Sequence, residues 1–405
     1  MFALLLLAWL PLQTAPTNSQ AAGLQALDGH DYERAKQVFS KLAADDPKDY
    51  SALFNLALAE SALKEDQEAA THYKQVLTLK PDLYEAELNL GILDIRDQHA
   101  SDALPLLRDA VKQRPGQARA QRYLGEALLI TGDTAGAADA FRGALAAAPK
   151  LAFAELGLGQ SLARQGKLDE ALPHYQQAAG NDPNLKSYLL EIAQAFAKAG
   201  RVNDAIPLLS QFPNDVGAHE ELGRLYLTEN RPADAVNEFK AAVAAAPTPA
   251  NRLALATAYL KNNEPDLARP ILEQELTSHP DDYDLRMAVG RIYRDRRNFA
   301  AASAQFLAAA QLKPDSVEAW NEAASVLVMA DMYPQALAAL DKVHSLSADN
   351  AGDYFYRAII YDRLHQPKSA LENYQKFLAI SGGKFPNQEF QARERSKLLQ
   401  REVSR

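Results

Sequence analysis

The stretch LGEALLITGDTAGAADAFRGALAAAP, residues 124–149, contains the landmarks that organise most of the chain. Gly125 and Ala137 are small, Phe141 is large and apolar, Gly132 lies between the two small residues, and Pro149 closes the segment. The spacing reads as two antiparallel helices joined by a turn at Gly132. Small residues let two helix backbones approach, and a large neighbour fills the volume beside them. A glycine between helices suits a left-handed C-cap.

The same landmarks recur in both directions. Prolines stand at Pro47, Pro81, Pro115, Pro149 and Pro183, 34 residues apart, and resume at Pro213, Pro247, Pro280 and Pro314. The Ala137 column runs from Ala35, Ala69, Ala103 and Ala171 through Ala205, Ala235, Ala268 and Ala302 to Ala336 and Ala370. Its spacings are 34 except for one of 30, after Ala205, and one of 33. Twelve residues before each alanine is Gly or Ala, and four after it is Phe, Tyr or Leu. Gly166, Gly200, Asn230 and Asn263 repeat the turn of Gly132. Pro232, Pro265 and Pro367 fall in the first turn of a second helix, where the missing N–H costs little. Asp82, Asn184, Asp281 and Asp315 follow the closing prolines and are expected to cap the next first helix. Pro105, Pro173, Pro207 and Pro270 are less comfortable, because the register puts them inside second helices, where proline costs about 3 kcal/mol.

The period, the Leu-Gly pairs (Leu90-Gly91, Leu124-Gly125, Leu158-Gly159, Leu222-Gly223), the alanine column, the large apolar column and the closing proline together resemble the tetratricopeptide repeat (TPR) family. The likeness covers residues 17–382, although the family's opening aromatic is largely replaced, with Trp320 the clearest example. It implies an all-α TPR α-solenoid, a right-handed superhelix of about eleven helix-turn-helix repeats. One pair cannot bury its own apolar face, so stacking supplies the core and the ends need caps. Residues 385–403 read as a C-terminal capping helix with Ala392, Leu399 and Val403 on one stripe. The shortened interval after Ala205 predicts a change in stacking between residues 205 and 222. The expected organisation is an N-terminal array over 22–213 and a C-terminal array over 214–382.

The chain has 405 residues, 47% hydrophobic and 23% charged. It has no Cys, which removes disulfides, thiolate metal sites, cysteine nucleophiles and lipid attachment through cysteine. A net charge of −9 argues against binding a nucleic-acid backbone. Phe2–Leu10 reads FALLLLAWL and is too short to span a bilayer, so no stable transmembrane segment is expected. With Ser19-Gln20-Ala21 as a small-x-small site, residues 1–21 suit a signal peptide or N-terminal hydrophobic segment, although no Lys or Arg precedes the run. Export to the periplasm or cell envelope is the expectation, and a cytoplasmic location is the alternative.

Chemistry is sparse. The eight histidines show no helical metal-ligand spacing, and no HExxH occurs. Gly159-Gln160-Ser161-Leu162-Ala163 lies within a predicted helix, not at a nucleophile elbow. No enzymatic activity, cofactor or metal is expected. In the TPR family the exposed face of each first helix lines a groove. The register puts Arg96, Arg119, Arg122, Arg164, Lys198, Arg224 and Lys261 there, beside Glu85, Glu126 and Glu220. A local basic surplus points to an acidic protein or peptide partner. The positions matching the family's Lys/Asn clamp hold Phe54, Leu58 and Asn89, so that clamp is not reproduced. The reading is a non-enzymatic scaffold for protein–protein interaction, with a co-chaperone or regulatory adaptor as the alternative.

Overall fold

The computed structural model describes residues 18–347 and 350–404. The run Phe2–Leu10 lies outside the described residues, as does almost all of the leader. The chain divides into two compact units, one ending at Gln211 and the other starting at Phe212. Every regular element among the described residues is helical.

In the first unit, α1 (Asn18–Asp28) pairs with α2 (Tyr32–Asp45), α3 (Tyr50–Ala62) with α4 (Asp66–Leu79), and α5 (Tyr84–Arg96) with α6 (Ala100–Gln113). Three more pairs follow: α7 (Ala118–Ile130) with α8 (Thr134–Ala147), α9 (Ala152–Arg164) with α10 (Leu168–Asn181), and α11 (Leu189–Lys198) with α12 (Val202–Leu209). In the second unit, α13 (Val216–Thr228) pairs with α14 (Pro232–Ala245), α15 (Pro249–Lys261) with α16 (Pro265–Ser278), and α17 (Tyr283–Asp295) with α18 (Phe299–Leu312). It continues with α19 (Val317–Met329) on α20 (Tyr333–Leu346) and α21 (Ala351–Arg363) on α22 (Pro367–Ser381). α23 (Pro386–Val403) packs on α22 and buries Ala392 and Leu399. The small-x-small segment Ser19-Gln20-Ala21 lies in the first turn of α1.

The alanine column is the tightest part of each pair: all eleven alanines are 0% exposed. The glycine column contacts the large column of its own repeat. A Cβ on Gly223 would come within 2.6 Å of the Phe239 ring, and one on Gly290 within 2.7 Å of Phe306. All four phenylalanines of that column (Phe39, Phe141, Phe239, Phe306) face glycine; among the leucines, Leu107 faces Gly91, and Leu209, Leu272 and Leu340 face alanine. A phenylalanine thus stands only where its partner lacks a Cβ, in keeping with close packing.

The turn between paired helices is left-handed in every repeat. Gly132, Gly166, Gly200, Asn230 and Asn263 all have positive φ, as expected, and so do His30, Lys64, Gln98, Arg297, Asp331 and His365. The next residue donates its N–H back across the turn, as in Asp133 to Leu128 O (2.9 Å) and Glu65 to Glu60 O (2.9 Å), which satisfies a helix-end carbonyl.

One expectation about local structure changes. Most N-caps fall two residues after the closing proline, not one, although Thr248 caps α15 directly after Pro247. Asp49, Asp215, Asp282 and Ser316 accept the capping N–H. Asp82 instead occupies a left-handed turn (φ 58°), and Asn184 lies in a 3-10 turn capped by Asp182. The chain needs both residues to reverse before it can wind. The mid-helix prolines Pro105, Pro173, Pro207 and Pro270 do lie inside second helices, and all four are exposed. The carbonyl each leaves unpaired therefore faces water, which explains why they are tolerated. α12 has eight residues where α10 and α14 have fourteen, so the shortened interval is taken from its C-terminal end.

Candidate interaction surface on the first helices

Successive first helices are stitched together by side chains. In the first unit, Gln160 of α9 donates to Glu191 of α11 (2.9 Å), and Arg164 donates to the Leu129 carbonyl of α7 (2.9 Å). In the second, Arg291 of α17 pairs with Glu318 of α19 (2.5 Å), and Arg294 pairs with Glu322 through two hydrogen bonds of 2.7 Å. Ser325 meets the Tyr356 hydroxyl at 3.1 Å. Side chains therefore tie α7, α9 and α11 together in the first unit and α17, α19 and α21 in the second.

The seven basic residues expected on this wall have different roles. Arg96 reaches back to the preceding repeat, pairing with Asp66 (2.6 Å) and donating to Ser61 Oγ (3.2 Å). Arg119 is largely buried, and that burial lowers its pKa. Arg122 stacks on the Tyr123 ring at 3.7 Å, lies 5.7 Å from the Phe153 ring and pairs with Glu126 at 3.4 Å. Arg164 is held on Leu129 O. Lys198 and Lys261 are exposed at the ends of α11 and α15. Arg224 pairs with Glu221 on its own helix. Of the acids expected beside them, Glu85 is buried and bound to Arg114 (2.8 Å), whose guanidinium covers the Tyr84 ring at 4.1 Å. The structure brings Arg119, Arg122 and Tyr123 together, with Phe153 on the next first helix. Arg224 and Lys261 belong to the second unit.

Two features escape a count of charges along the sequence. One is the Arg291–Arg294–Glu318–Glu322 ladder, which links the first helices α17 and α19 of the second unit. The other is a column four residues before the glycine column, where the family's aromatic is mostly absent. Several of its occupants reach back to the carbonyl of the closing proline: Gln121 to Pro115 (3.3 Å), Arg286 to Pro280 (2.8 Å), Trp320 to Pro314 (3.0 Å), and His219 beside Pro213 (3.1 Å). Glu87 stands in this column and, ionised, has no proton to donate. It is buried, accepts from Gln113 (2.6 Å), and burial with the nearby charges of Asp109 and Asp82 pushes its pKa up to about 7.

His72 meets Glu60 at 2.7 Å, and His174 meets Glu155 at 2.6 Å, each pair bridging the two helices of one repeat. These histidines are structural links. Among the described residues, no group of three or more His, Cys, Asp or Glu is placed to hold a metal. No described helix is long and apolar enough to cross a membrane.

The tetratricopeptide repeat family model matches residues 21–84, 88–152, 156–215, 190–250, 253–316 and 290–351, and the chain belongs to this family. Among solved structures, it is similar to MamA from Desulfovibrio magneticus RS-1, with 22% identity, 41% of this chain and 94% of that one covered, and a TM-score of 0.39. It is also similar to MamA from MSR-1 (22% identity, 41% and 95% covered, TM-score 0.38). A third is YrrB, a TPR protein with an unusual peptide-binding site (20% identity, 40% and 83% covered, TM-score 0.38). No curated protein sequence matches significantly.

Proposed function

We propose that the chain is a non-enzymatic scaffold that holds another protein, by an acidic segment, against the first helices of its N-terminal array. The observation that carries this reading is the arginine–aromatic cluster on α7 and α9. Arg122 packs over the Tyr123 ring at 3.7 Å and lies 5.7 Å from the Phe153 ring, and Ile130 (56% exposed) on α7 and Phe153 (42% exposed) on α9 are open to a partner. Arg and Tyr on a partly apolar shelf are the residue types that dominate binding energy at protein interfaces. Arg96, Ile130, Arg164 and Lys198 share one column at 34-residue spacing, so the basic side chains recur along the wall. Arg119 and Arg122 supply charge near the centre. Arg224 and Lys261 extend the same chemistry to the second unit. The partner is a protein or peptide rather than nucleic acid, in keeping with the net charge of −9.

Export, with assembly of cell-envelope partners, is supported by the apolar run Phe2–Leu10 and the small residues that follow it. N-terminal sequencing of the protein from its own cells tests this. A mature start near residue 22 supports export, and an intact Met1 in a cytosolic fraction contradicts it.

The binding reading is tested by reversing Arg122, Arg164 and Lys198 to Glu together, then repeating affinity capture with mass spectrometry. Helical content by circular dichroism should be unchanged, and the specific partner should be lost. Capture at wild-type yield would overturn the reading.

A further inference from the structure

We propose that the cavity between α21, α22 and the capping helix α23 binds a small carboxylate-bearing molecule, held by Arg363 and the Tyr374 hydroxyl. The site belongs to the second unit and does not depend on the arginine–aromatic cluster of α7 and α9.

The cavity has a volume of about 440 Å³ and is lined by Asp362 and Arg363 of α21, His365 of the following turn, Tyr374 of α22, and Gln391 and Arg395 of α23. That volume falls within the range of small-molecule sites, roughly 300–1,000 Å³. Its walls are held in place by a long-range pair. Arg395 reaches back from α23 to Asp362 of α21 with two hydrogen bonds, of 2.7 and 2.8 Å. Both oxygens of Asp362 are thereby taken up, and Arg395 is spent on holding the cap to the last repeat.

Tyr374 is the group that points to a ligand. It stands in the large apolar column and is 2% exposed, with its ring against Phe355. Among the described residues its hydroxyl has no hydrogen-bond partner, although it lies near the charges of Asp362, Arg363 and Arg395. Tyr73 occupies the same column, and there the next first helix supplies Asn89, whose Nδ2 donates to the Tyr73 hydroxyl at 3.3 Å. No such group reaches Tyr374, which lines the cavity instead. Burial, with the Asp362 carboxylate, pushes its pKa up to about 12, so the hydroxyl keeps its proton. It is a buried donor that lacks an acceptor, and such groups are rare unless something else satisfies them.

Charge selects the ligand. Asp362 and Arg395 neutralise each other. Arg363 is exposed and has no ion-pair partner among the described residues, so it leaves the lining with a positive charge to spare. Arg363 and Tyr374 both donate, and the Gln391 amide can add a further N–H. A monoanion with planar acceptor oxygens meets that set, and the guanidinium fork matches a carboxylate. A phosphate dianion would bring a second negative charge that nothing in the lining balances. Ile359 and the Tyr374 ring offer apolar area beside the donors, which suits an acid with an apolar body.

Titration of the full-length chain with benzoate, followed by NMR of the ligand, tests the site. A ligand of this size should bind with a Kd of about 1 mM. Benzamide, its neutral isostere, should bind far more weakly, and so should inorganic phosphate. Tyr374→Phe removes only the hydroxyl, and Arg363→Ala changes an exposed side chain, so both variants should melt like the wild type. Each should weaken benzoate about tenfold, because each removes a hydrogen bond to a charged group. Arg122→Glu, in the first unit, should leave benzoate binding unchanged. Absence of benzoate binding, equal binding of benzamide, tighter binding of phosphate, or an affinity unmoved by Arg363→Ala and Tyr374→Phe would overturn the proposal.

Discussion

α5 and α19 occupy the same place in their repeats, yet they present opposite chemistry. In α5 the register positions of the wall hold Leu88 and Ile92, both buried. In α19 the same positions hold Asn321 and Ser325, and Glu318 and Glu322 beside them pair with Arg291 and Arg294 of α17. The frame beneath is shared: alanine column, large column and left-handed turn are alike in both. The comparison separates the residues that make the repeat from those that give each stretch of wall its use. The alanine and large columns are fixed by packing inside one helix pair. The wall positions lie outside those columns and vary from repeat to repeat.

Exchanging residues across the register tests this separation. Leu88→Asn should lower the unfolding free energy by roughly 3 kcal/mol, because it removes buried apolar area and buries an amide. Asn321→Leu, its mirror, should stay within about 0.5 kcal/mol. Urea denaturation of both variants makes the comparison, and equal effects would break it.

Glu87 sharpens the contrast through pH. Its folded pKa of about 7 lies above its ordinary value of 4.5. The fold therefore binds that proton more tightly than the unfolded chain. This stability is complete below pH 4.5 and is lost as pH rises towards 7. Glu87→Gln keeps the shape and supplies a permanent donor, as Gln121 does towards Pro115. The variant should match the wild type at acid pH and exceed it at pH 8. A gain that does not vary with pH would contradict the burial argument.

The second unit's ladder should be worth less. Arg294→Ala should cost about 1 kcal/mol or less, and the difference should shrink in molar salt, because these side chains are partly exposed and screened. Thermal melts at two ionic strengths measure it. The smallest effect is expected where the units agree. Lys64 and Asp331 both hold left-handed turns. Gly at either relieves about 1–2 kcal/mol of steric cost against 0.5–1 kcal/mol of added chain entropy. Each variant should therefore gain about 0.5 kcal/mol, equally in the two units.

The repeat was legible because its signals are residue types at fixed intervals. Ala137 and its ten equivalents report a contact that tolerates almost nothing else. The pairing of phenylalanine with glycine is visible in the letters once the register is set. The caps were misplaced by one residue, because the length of the turn after proline is a backbone matter that residue preference at Asp82 or Asp281 does not encode. The wall was legible only as composition. Arg164 and Arg96 carry charge in the sequence, but their partners are the Leu129 carbonyl and Asp66 of neighbouring repeats. A backbone acceptor is invisible to a count of charges. Glu85 is neutralised by Arg114, 29 positions later, and only the fold makes them neighbours.

The central claim is that the first-helix wall at α7 and α9 is where this TPR chain holds its partner. Photo-cross-linking from that wall tests it most directly. Benzoylphenylalanine replaces Phe153 in one full-length variant and exposed Arg108, on second helix α6, in another. The account predicts that position 153 captures the partner, that position 108 does not, and that Arg122→Glu with Lys198→Glu abolishes the capture. Capture from position 108 alone, or from position 153 undiminished by those substitutions, would contradict it.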